Sequence, residues 1–307
     1  MEIRSISKTD LKSVFLLLST CLSFDDLTED LVKFRIFEDP DYDPDLTLGI
    51  VVDGRIVSIV CATVPTKFPK PAEISSAIAW IKVFGTSREY KNRGFESKLF
   101  DRILEVLRHR AVEEARFSDR GNWHFWPGLD LRYEDGLDFL IERGFSKDGE
   151  YVDFVYDLSK FWYPRRVRRA RESLTRAGIT FKTGWQIATT DLLSWVERKF
   201  SPFWSNEVEF ALKRDSPSVF VASNETGELL GFATINGLAP GRFGPAGVSD
   251  SQRGKGIGTV LLYDAFQALK DQGFPKAVVH WTDHLFFYTQ VPGLCGVRDY
   301  WVMRRKL

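Results

Sequence analysis

The segment Ile6-Ser7-Lys8-Thr9-Asp10-Leu11 near the amino terminus returns as Ile187-Ala188-Thr189-Thr190-Asp191-Leu192. Each copy reads as a strand end, a Thr or Asp cap and the start of a helix. The repetition continues along both halves. Leu48 to Thr63 carries Asp53-Gly54 between β-branched flanks, and Val219 to Thr234 carries Asn224 to Gly227 at the same place. Asp-Gly so flanked predicts a hairpin, because both turn positions take positive φ. A strand, a turn and a long helix come next in each half, the helices over 95–108 and 257–270. In the second helix Ile257, Leu261, Phe266 and Leu269 share one side, broadened by Val260 and Ala265. Gly273 is placed to cap it, Ala277-Val278-Val279 reads as a buried strand, a short helix comes after it over 285–290, and Tyr300 to Met303 reads as a last strand. The order predicts an α/β domain used twice.

A chain of 307 residues is long enough for two such domains. Lys+Arg and Asp+Glu each number 42, so there is no basic excess to suggest a nucleic-acid partner. Cys21, Cys61 and Cys295 are odd in number and form no CxxC, which argues against a disulfide framework or a zinc site. No apolar run is long enough to span a bilayer, and Met1-Glu2-Ile3-Arg4 lacks the apolar core of a signal peptide. The expected setting is reducing and cytoplasmic. The neutral charge fits a monomer or a homodimer equally.

The chemistry concentrates in Val248-Ser249-Asp250-Ser251-Gln252-Arg253-Gly254-Lys255-Gly256-Ile257-Gly258. Three glycines at alternate positions lie between a short apolar stretch and an amphipathic helix. Such a turn can aim several backbone N–H groups at one anion, and the helix start adds its positive end. Arg253 and Lys255 bring mobile positive charge. The reading is a diphosphate site; the alternative is a tight strand–helix turn with no ligand. The loop is not a Walker A sequence, since no Ser or Thr follows Lys255, and its spacing is not GxGxxG.

The pattern Arg-x-x-Gly-x-Gly at Arg253, Gly256 and Gly258, the strand before it, the helix after it and the Tyr-bearing helix further on together resemble the GNAT family of N-acetyltransferases. The resemblance covers about 185–307. It implies a tandem GNAT-like acyl-CoA N-acyltransferase fold of mixed α/β type, each domain a mostly antiparallel sheet with helices on both faces. It implies acetyl-CoA as the cofactor, with the diphosphate held by the backbone from Arg253 through Gly258 (Gly254, Lys255 and Ile257 included). The pantetheine arm would lie where the strand ending at Val248 and the strand 277–281 splay apart. Tyr288, in Phe286-Phe287-Tyr288-Thr289-Gln290, would stand near the sulfur and give its proton to the departing thiolate; a tyrosine bonded only within the core is the alternative. The family's Gly-Phe ending is replaced here by Val291-Pro292-Gly293-Leu294. A backbone N–H near Val248 would meet the charge that develops on the carbonyl oxygen. Direct transfer needs no covalent enzyme intermediate and gives Cys295 no role.

The base is open among several residues. Glu207 and Glu209 lie in the early helical region of the second domain, and His280, Asp283 and His284 follow its central strand. Tyr288, His280 and Glu209 are taken as the catalytic candidates. His280 falls at a strand's carboxyl end, where α/β sheets bind ligands, although a histidine there can simply satisfy the sheet edge. A metal held by His280, Asp283 and His284 is not expected.

The first half lacks these letters. In Lys91-Asn92-Arg93-Gly94-Phe95-Glu96, Gly94 stands where Gly256 does and Glu96 stands where Gly258 does. A carboxylate facing a diphosphate repels it. In Asp138-Phe139-Leu140-Ile141-Glu142-Arg143-Gly144-Phe145 the helix and its Gly-Phe ending persist, with Leu140 in the tyrosine's place. The expected organisation is a degenerate GNAT-like domain over 1–160, a basic linker over 161–178 and a catalytic GNAT domain over 179–307. The arginines from Arg165 to Arg176 read either as a solvated linker helix or as a grip for RNA or phosphate. The segment 121–130, similar to one in the mycothiol-synthase-like tandem group, either lines an acceptor pocket through His124, Trp126 and Asp130 or plugs the fold. The expected activity is acetyl transfer to a small-molecule primary amine. A protein or peptide acceptor, and a non-catalytic acyl-CoA sensor or scaffold, are the alternatives.

Overall fold

A computed structural model of the chain describes residues 1–68 and 77–307. Two compact units emerge, one made of residues 1–151 with 299–307 and the other of residues 152–298.

In the first unit β1 (Glu2–Ser5), β2 (Thr47–Val52), β3 (Arg55–Thr63) and β4 (Ile78–Thr86) pair antiparallel in that order. The β2–β3 turn is the predicted one, with Asp53 at φ 48° and Gly54 at φ 76°. β4 then pairs in parallel with β5 (Glu114–Phe117), and β5 pairs antiparallel with Met303–Lys306 of the chain's last strand. Helices α1 (Leu11–Cys21), α2 (Glu29–Val32), α3 (Phe95–His109) and α4 (Glu134–Glu142) complete the unit. Phe95, Leu99, Phe100, Ile103, Leu104 and Leu107 of α3 recur at helical spacing, and all are buried in the unit's core.

The second unit begins within β7 (Ser146–Asp157), which follows β6 (Leu129–Asp130), and ends within β13 (Leu294–Lys306). Between them come α5 (Arg165–Arg176), β8 (Thr180–Thr183), α6 (Thr189–Lys199), α7 (Pro202–Leu212), β9 (Val219–Ser223), β10 (Leu229–Ile235), β11 (Arg242–Val248), α8 (Ile257–Asp271), β12 (Lys276–Thr282) and α9 (Leu285–Thr289). The sheet runs β8-β9-β10-β11-β12-β7 and is antiparallel except between β11 and β12. Strand alternation sorts the faces. Ala233, Ile235, Phe243, Ala277, Val279, Phe154 and Tyr156 join the α8 residues Ile257, Leu261 and Phe266 in one core. Val219, Val221 and Phe232 join Trp195 and Val196 of α6 and Val208 of α7 in a second core. Helices therefore cover both faces, as the predicted α/β fold requires.

The unit boundaries fall elsewhere than the expected 160 and 178. The stretch 161–178 lies inside the second unit because α5 has a seam of its own. Val167 and Leu174, two turns apart, are buried in the α8-side core, and Arg171 pairs with Asp264 of α8. The chain's closing residues, from Asp299, belong to the first unit through their ladder with β5. Among the described residues no helix is long and apolar enough to cross a membrane.

Candidate active site

The glycine loop folds as its letters require. After β11 a single tight turn (Asp250–Gln252) leads to Gly254 at φ 76° and Gly256 at φ 90°. Both lie in the left-handed region that favours glycine. Gly256 is the N-cap of α8, and the amide of Val260 bonds the Gly256 carbonyl. The N–H groups of Gly258 and Thr259 precede that bond and have no intrahelical acceptor. Gly258 serves packing: a Cβ there would stand 3.3 Å from Val248 Cγ2. The loop's cations are held loosely, Arg253 by the exposed Asp250 at 2.9 Å and Lys255 by Gln252 at 2.9 Å. Ala170 of α5 lies 4.0 Å from where a Gly256 Cβ would be, so the basic helix runs beside the loop.

Next to this loop the sheet opens. The parallel ladder between β11 and β12 consists of Arg242 with Val278 and Phe243 with Val279. Beyond it, Ala246, Gly247 and Val248 stay paired with β10, while Thr282 pairs with Val152 of β7. Pro245 contributes to the parting, because it has no N–H to give a ladder. The Ser249 amide donates to the Leu230 carbonyl at 2.9 Å. Antiparallel alternation therefore turns the N–H of Val248 away from β10, toward the side that β12 has left.

His280 stands at the parting, one residue past the last position at which β12 pairs with β11. Its Nδ1 lies 2.8 Å and 2.9 Å from the two carboxylate oxygens of Asp153, which comes from β7. Both side chains are buried. The Trp281 amide donates to Asp153 Oδ1 at 2.9 Å, from a residue held at φ 55°. Burial alone would raise the Asp153 pKa, but His280, with Arg242 adding to it, outweighs that and holds it below the usual carboxylate value. Asp153 escaped the sequence reading. Its one signal was an ionisable residue inside the strand pattern Val152-Asp153-Phe154-Val155-Tyr156, where Asp is normally depleted.

Tyr288 of α9 is buried among Phe154, Phe243 and Phe287. Tyr156 donates its hydroxyl to the Tyr288 carbonyl at 2.8 Å and so pins α9 to the sheet. Burial, with Asp283 adding to it, raises the Tyr288 pKa well above its ordinary value. Glu209 sits in an i,i+4 ion pair with Lys213 at 2.8 Å on an exposed helix face. Asp283 and His284 are exposed and 3.7 Å apart. Among the described residues no group of three metal-binding side chains converges.

The first unit has the same parts in another state. Gly94 keeps its left-handed backbone, φ 71°, at the start of α3. Glu96 is half-buried; burial pushes its carboxyl above the ordinary value, and it bonds Thr86. The ladder between β4 and β5 holds four pairs, Ile78 with Glu114 through Ile81 with Phe117. The Ser118 amide extends it to the Ile81 carbonyl at 2.8 Å. Lys82, at the position of Gly244, is buried and pairs with Asp39 at 2.6 Å; Arg120 bridges Asp39 and Asp41 at 3.1 and 2.7 Å. His124, Trp126 and Asp130 are buried within this unit. Trp126 donates to Asp25 at 3.0 Å, Arg132 pairs with Asp130 at 2.8 Å, and Ser118 Oγ donates to the Trp126 carbonyl at 2.8 Å. Of the two readings of 121–130, the packed plug is the one seen. Leu140 is fully buried, in keeping with its apolar side chain.

Residues 188–287 match the family profile described as "Acetyltransferase (GNAT) family". No curated protein sequence matches the chain. Among solved structures, a fungal one described as a GCN5-related glucosamine N-acetyltransferase region of a multi-domain GH3 β-N-acetylglucosaminidase is similar at 18% identity with a TM-score of 0.79. That match covers 99% of this chain, which spans 38% of the fungal chain's length. A GCN5-related N-acetyltransferase from Sphaerobacter thermophilus aligns over 99% of this chain and 95% of its own, at 15% identity and TM-score 0.68. A tandem GNAT protein from the clavulanic acid biosynthesis pathway aligns over 99% and 98%, at 14% identity and TM-score 0.66. The chain has a tandem GNAT acyltransferase fold, and the profile match lies within its second unit. Residues 188–287 thus carry the acetyltransferase profile within a unit of GNAT-type fold.

Proposed function

We propose that the second unit transfers an acetyl group from acetyl-CoA to a small-molecule primary amine by direct attack. The observation that carries this reading is the parting of β11 and β12 at Gly244 and His280 beside the glycine loop. The site's residues fit the coenzyme: the loop leaves amides at the start of α8 without acceptors, and its glycines keep that space free of side chains. Bound there, the coenzyme supplies an activated thioester.

The amides from Gly254 through Gly258 hold the diphosphate, with Arg253 and Lys255 turning from their exposed partners to it. The Val248 N–H, aimed into the parting, meets the charge that grows on the carbonyl oxygen. His280 takes the proton that the amine sheds as its N–C bond forms. Tyr288 donates from its hydroxyl to the thiolate as the C–S bond breaks. Its raised pKa keeps it protonated for that role. Glu209, committed to Lys213 on an exposed face, is not given the base's role.

The acceptor class rests on fold likeness, an associational support. The fungal structure is described as a glucosamine N-acetyltransferase region, which makes amino sugars the first acceptors to test. The likeness of 121–130 to a mycothiol-synthase-like segment adds no acceptor, because its polar residues are bonded inside the first unit. Release of free thiol from acetyl-CoA, measured over amino sugars, amino acids, other small amines and amino-terminal peptides, tests the reading. Turnover with a small amine and none with peptides is expected. Turnover with peptides alone, or with no acceptor, overturns it.

A further inference from the structure

We propose that Asp153 is a positioning residue: it fixes His280 as the Nδ1–H tautomer, so that Nε2 is the ring atom that accepts the proton from the acceptor amine. The inference rests on the acetyl transfer proposed above and assigns a part to a residue outside the matched profile, which begins at residue 188.

The geometry is that of a clamp. An ionised carboxylate only accepts hydrogen bonds, and both its oxygens lie within 2.9 Å of His280 Nδ1. Nδ1 must therefore carry the hydrogen, and a neutral ring then has its lone pair on Nε2. The clamp is braced from a second side. The β12–β7 ladder slips between Val279 and Thr282, and the extra backbone there turns the Trp281 amide onto Asp153 Oδ1 at 2.9 Å. Trp281 takes φ 55° to do so, an unfavourable value for a bulky residue. Arg242, on the neighbouring strand, balances the carboxylate's charge.

The placement matters as well as the pair. Val279 faces the α8-side core, so His280, the next residue, faces the opposite side of the sheet at the point where β11 departs. When the N–C bond forms, the proton leaves the amine nitrogen for Nε2. The imidazolium so made is paired with Asp153, while the sulfur leaves with the electrons of the C–S bond and takes the Tyr288 proton. Before the next turnover the protonated His280 returns its proton to water and Tyr288 takes one back, so that no net proton is gained or lost.

Nitrogen-15 NMR of the histidine rings tests the claim on the free protein. The chain has four histidines, so one His280→Gln spectrum assigns the signal. The parent should show His280 as Nδ1–H. In Asp153→Asn the new amide can donate to Nδ1, and the signal should move to Nε2–H. With that change kcat should fall by about 10²–10⁴-fold, while KM for acetyl-CoA stays within about twofold. A residue that merely holds the strand would move neither the tautomer nor kcat alone. His280 found as Nε2–H in the parent overturns the inference without any Asp153 variant. So does an Asp153→Asn protein that keeps the parent's tautomer, or that turns over within about threefold of the parent. Failure of the parent to release thiol with any amine overturns the proposed reaction instead, and leaves the tautomer result standing.

Discussion

A Cβ on Gly258 would stand 3.3 Å from Val248 Cγ2, so the end of β11 and the start of α8 are set at a spacing where a methyl would have to push the Val248 side chain aside. Gly256, two residues earlier, is different: space beside it is open, and its φ of 90° is what glycine provides. A side chain at Gly256 would meet no atom closer than Ala170 Cβ, 4.0 Å away, so it need not enter the core. Gly256→Glu should leave the fold standing at a strain cost of about 1–2 kcal/mol, with a carboxylate set at the loop proposed to hold the diphosphate. Calorimetric titration with coenzyme A should show Kd raised at least about tenfold, some 1.4 kcal/mol or more. Affinity within twofold of the parent refutes the assignment of this loop.

Tyr288 gives a separable signature. Burial raises its pKa, so the phenol stays protonated through the alkaline range in which an ordinary tyrosine starts to ionise. Tyr288→Phe should lower kcat by about 10–100-fold with acetyl-CoA binding nearly unchanged. The parent's rate should show no basic limb from this group below about pH 10. An unchanged kcat in Tyr288→Phe removes the hydroxyl from the mechanism.

The sequence made the two halves, both hairpins, the glycine loop and α8 legible, because each is fixed by local rules: positive φ at Asp53-Gly54, helical spacing from Ile257, glycine at Gly256. The segment carrying Val167 and Leu174 was legible as a helix but not as part of the second unit. Its six arginines dominate the pattern, while its ties to the α8 side are the buried Val167 and Leu174 and pairs such as Arg171 with Asp264. The Asp153–His280 pair was half visible. His280 marks itself by its place at a strand end, whereas Asp153 lies 127 residues away and reaches it through ladder register that no local pattern encodes. Residues 121–130 allow two readings, a binding loop or a packed plug, because Trp and His among glycines suit either. The bonds of Trp126 to Asp25 and of Arg132 to Asp130 decide for the plug, and no local pattern encodes them.

Asp119 supplies a pH test of the first unit. Burial pushes its carboxyl up to about 6, against an ordinary value near 3.9, while Trp80 Nε1 donates to it at 2.8 Å. The folded state thus holds a proton that the unfolded state has lost between these two values. Stability falls as pH rises from about 4 to about 6 and is flat, for this group, above that. The full gap corresponds to about 3 kcal/mol; since the side chain keeps some solvent contact, about 1 kcal/mol is expected. Asp119→Asn retains an oxygen for Trp80 and should remove that slope. Urea midpoints at pH 4.5 and 7.5 that shift in parallel for parent and variant would contradict it.

Lys82 occupies the position of Gly244, where the second unit's strands part. Its burial lowers the ammonium's pKa, and Asp39 at 2.6 Å offsets that. Removing one partner of a buried pair leaves a charge behind, so Lys82→Met should cost about 3–5 kcal/mol. Replacing both, Lys82→Met with Asp39→Leu, should recover part of that loss if the ion pair acts chiefly by filling the closed strand junction. Equilibrium unfolding of the single and double variants measures it, and equal destabilisation in both would show that Arg120 still compensates Asp39 once Lys82 is gone.

On the proposed mode of coenzyme binding, three separate features of the first unit limit the number of sites per chain. Glu96 puts a carboxyl where Gly258 leaves room, and that carboxyl is already bonded to Thr86. The ladder between β4 and β5 is carried on by the Ser118 amide to Ile81, so the strands are joined where β11 and β12 have separated. Lys82, Asp39 and Arg120 fill that junction with paired charges. On that mode of binding any one of these would block a pantetheine arm or its diphosphate, and relieving one leaves two. Titration of the parent with coenzyme A should therefore give about one site per chain, and Gly256→Glu should reduce it toward none. Glu96→Gly should not add a second site, because it removes the repelling carboxylate without parting β4 from β5. A second equivalent of coenzyme bound by that variant with comparable affinity would show that charge alone closes the first unit, and that the strand junction yields once the carboxylate is gone.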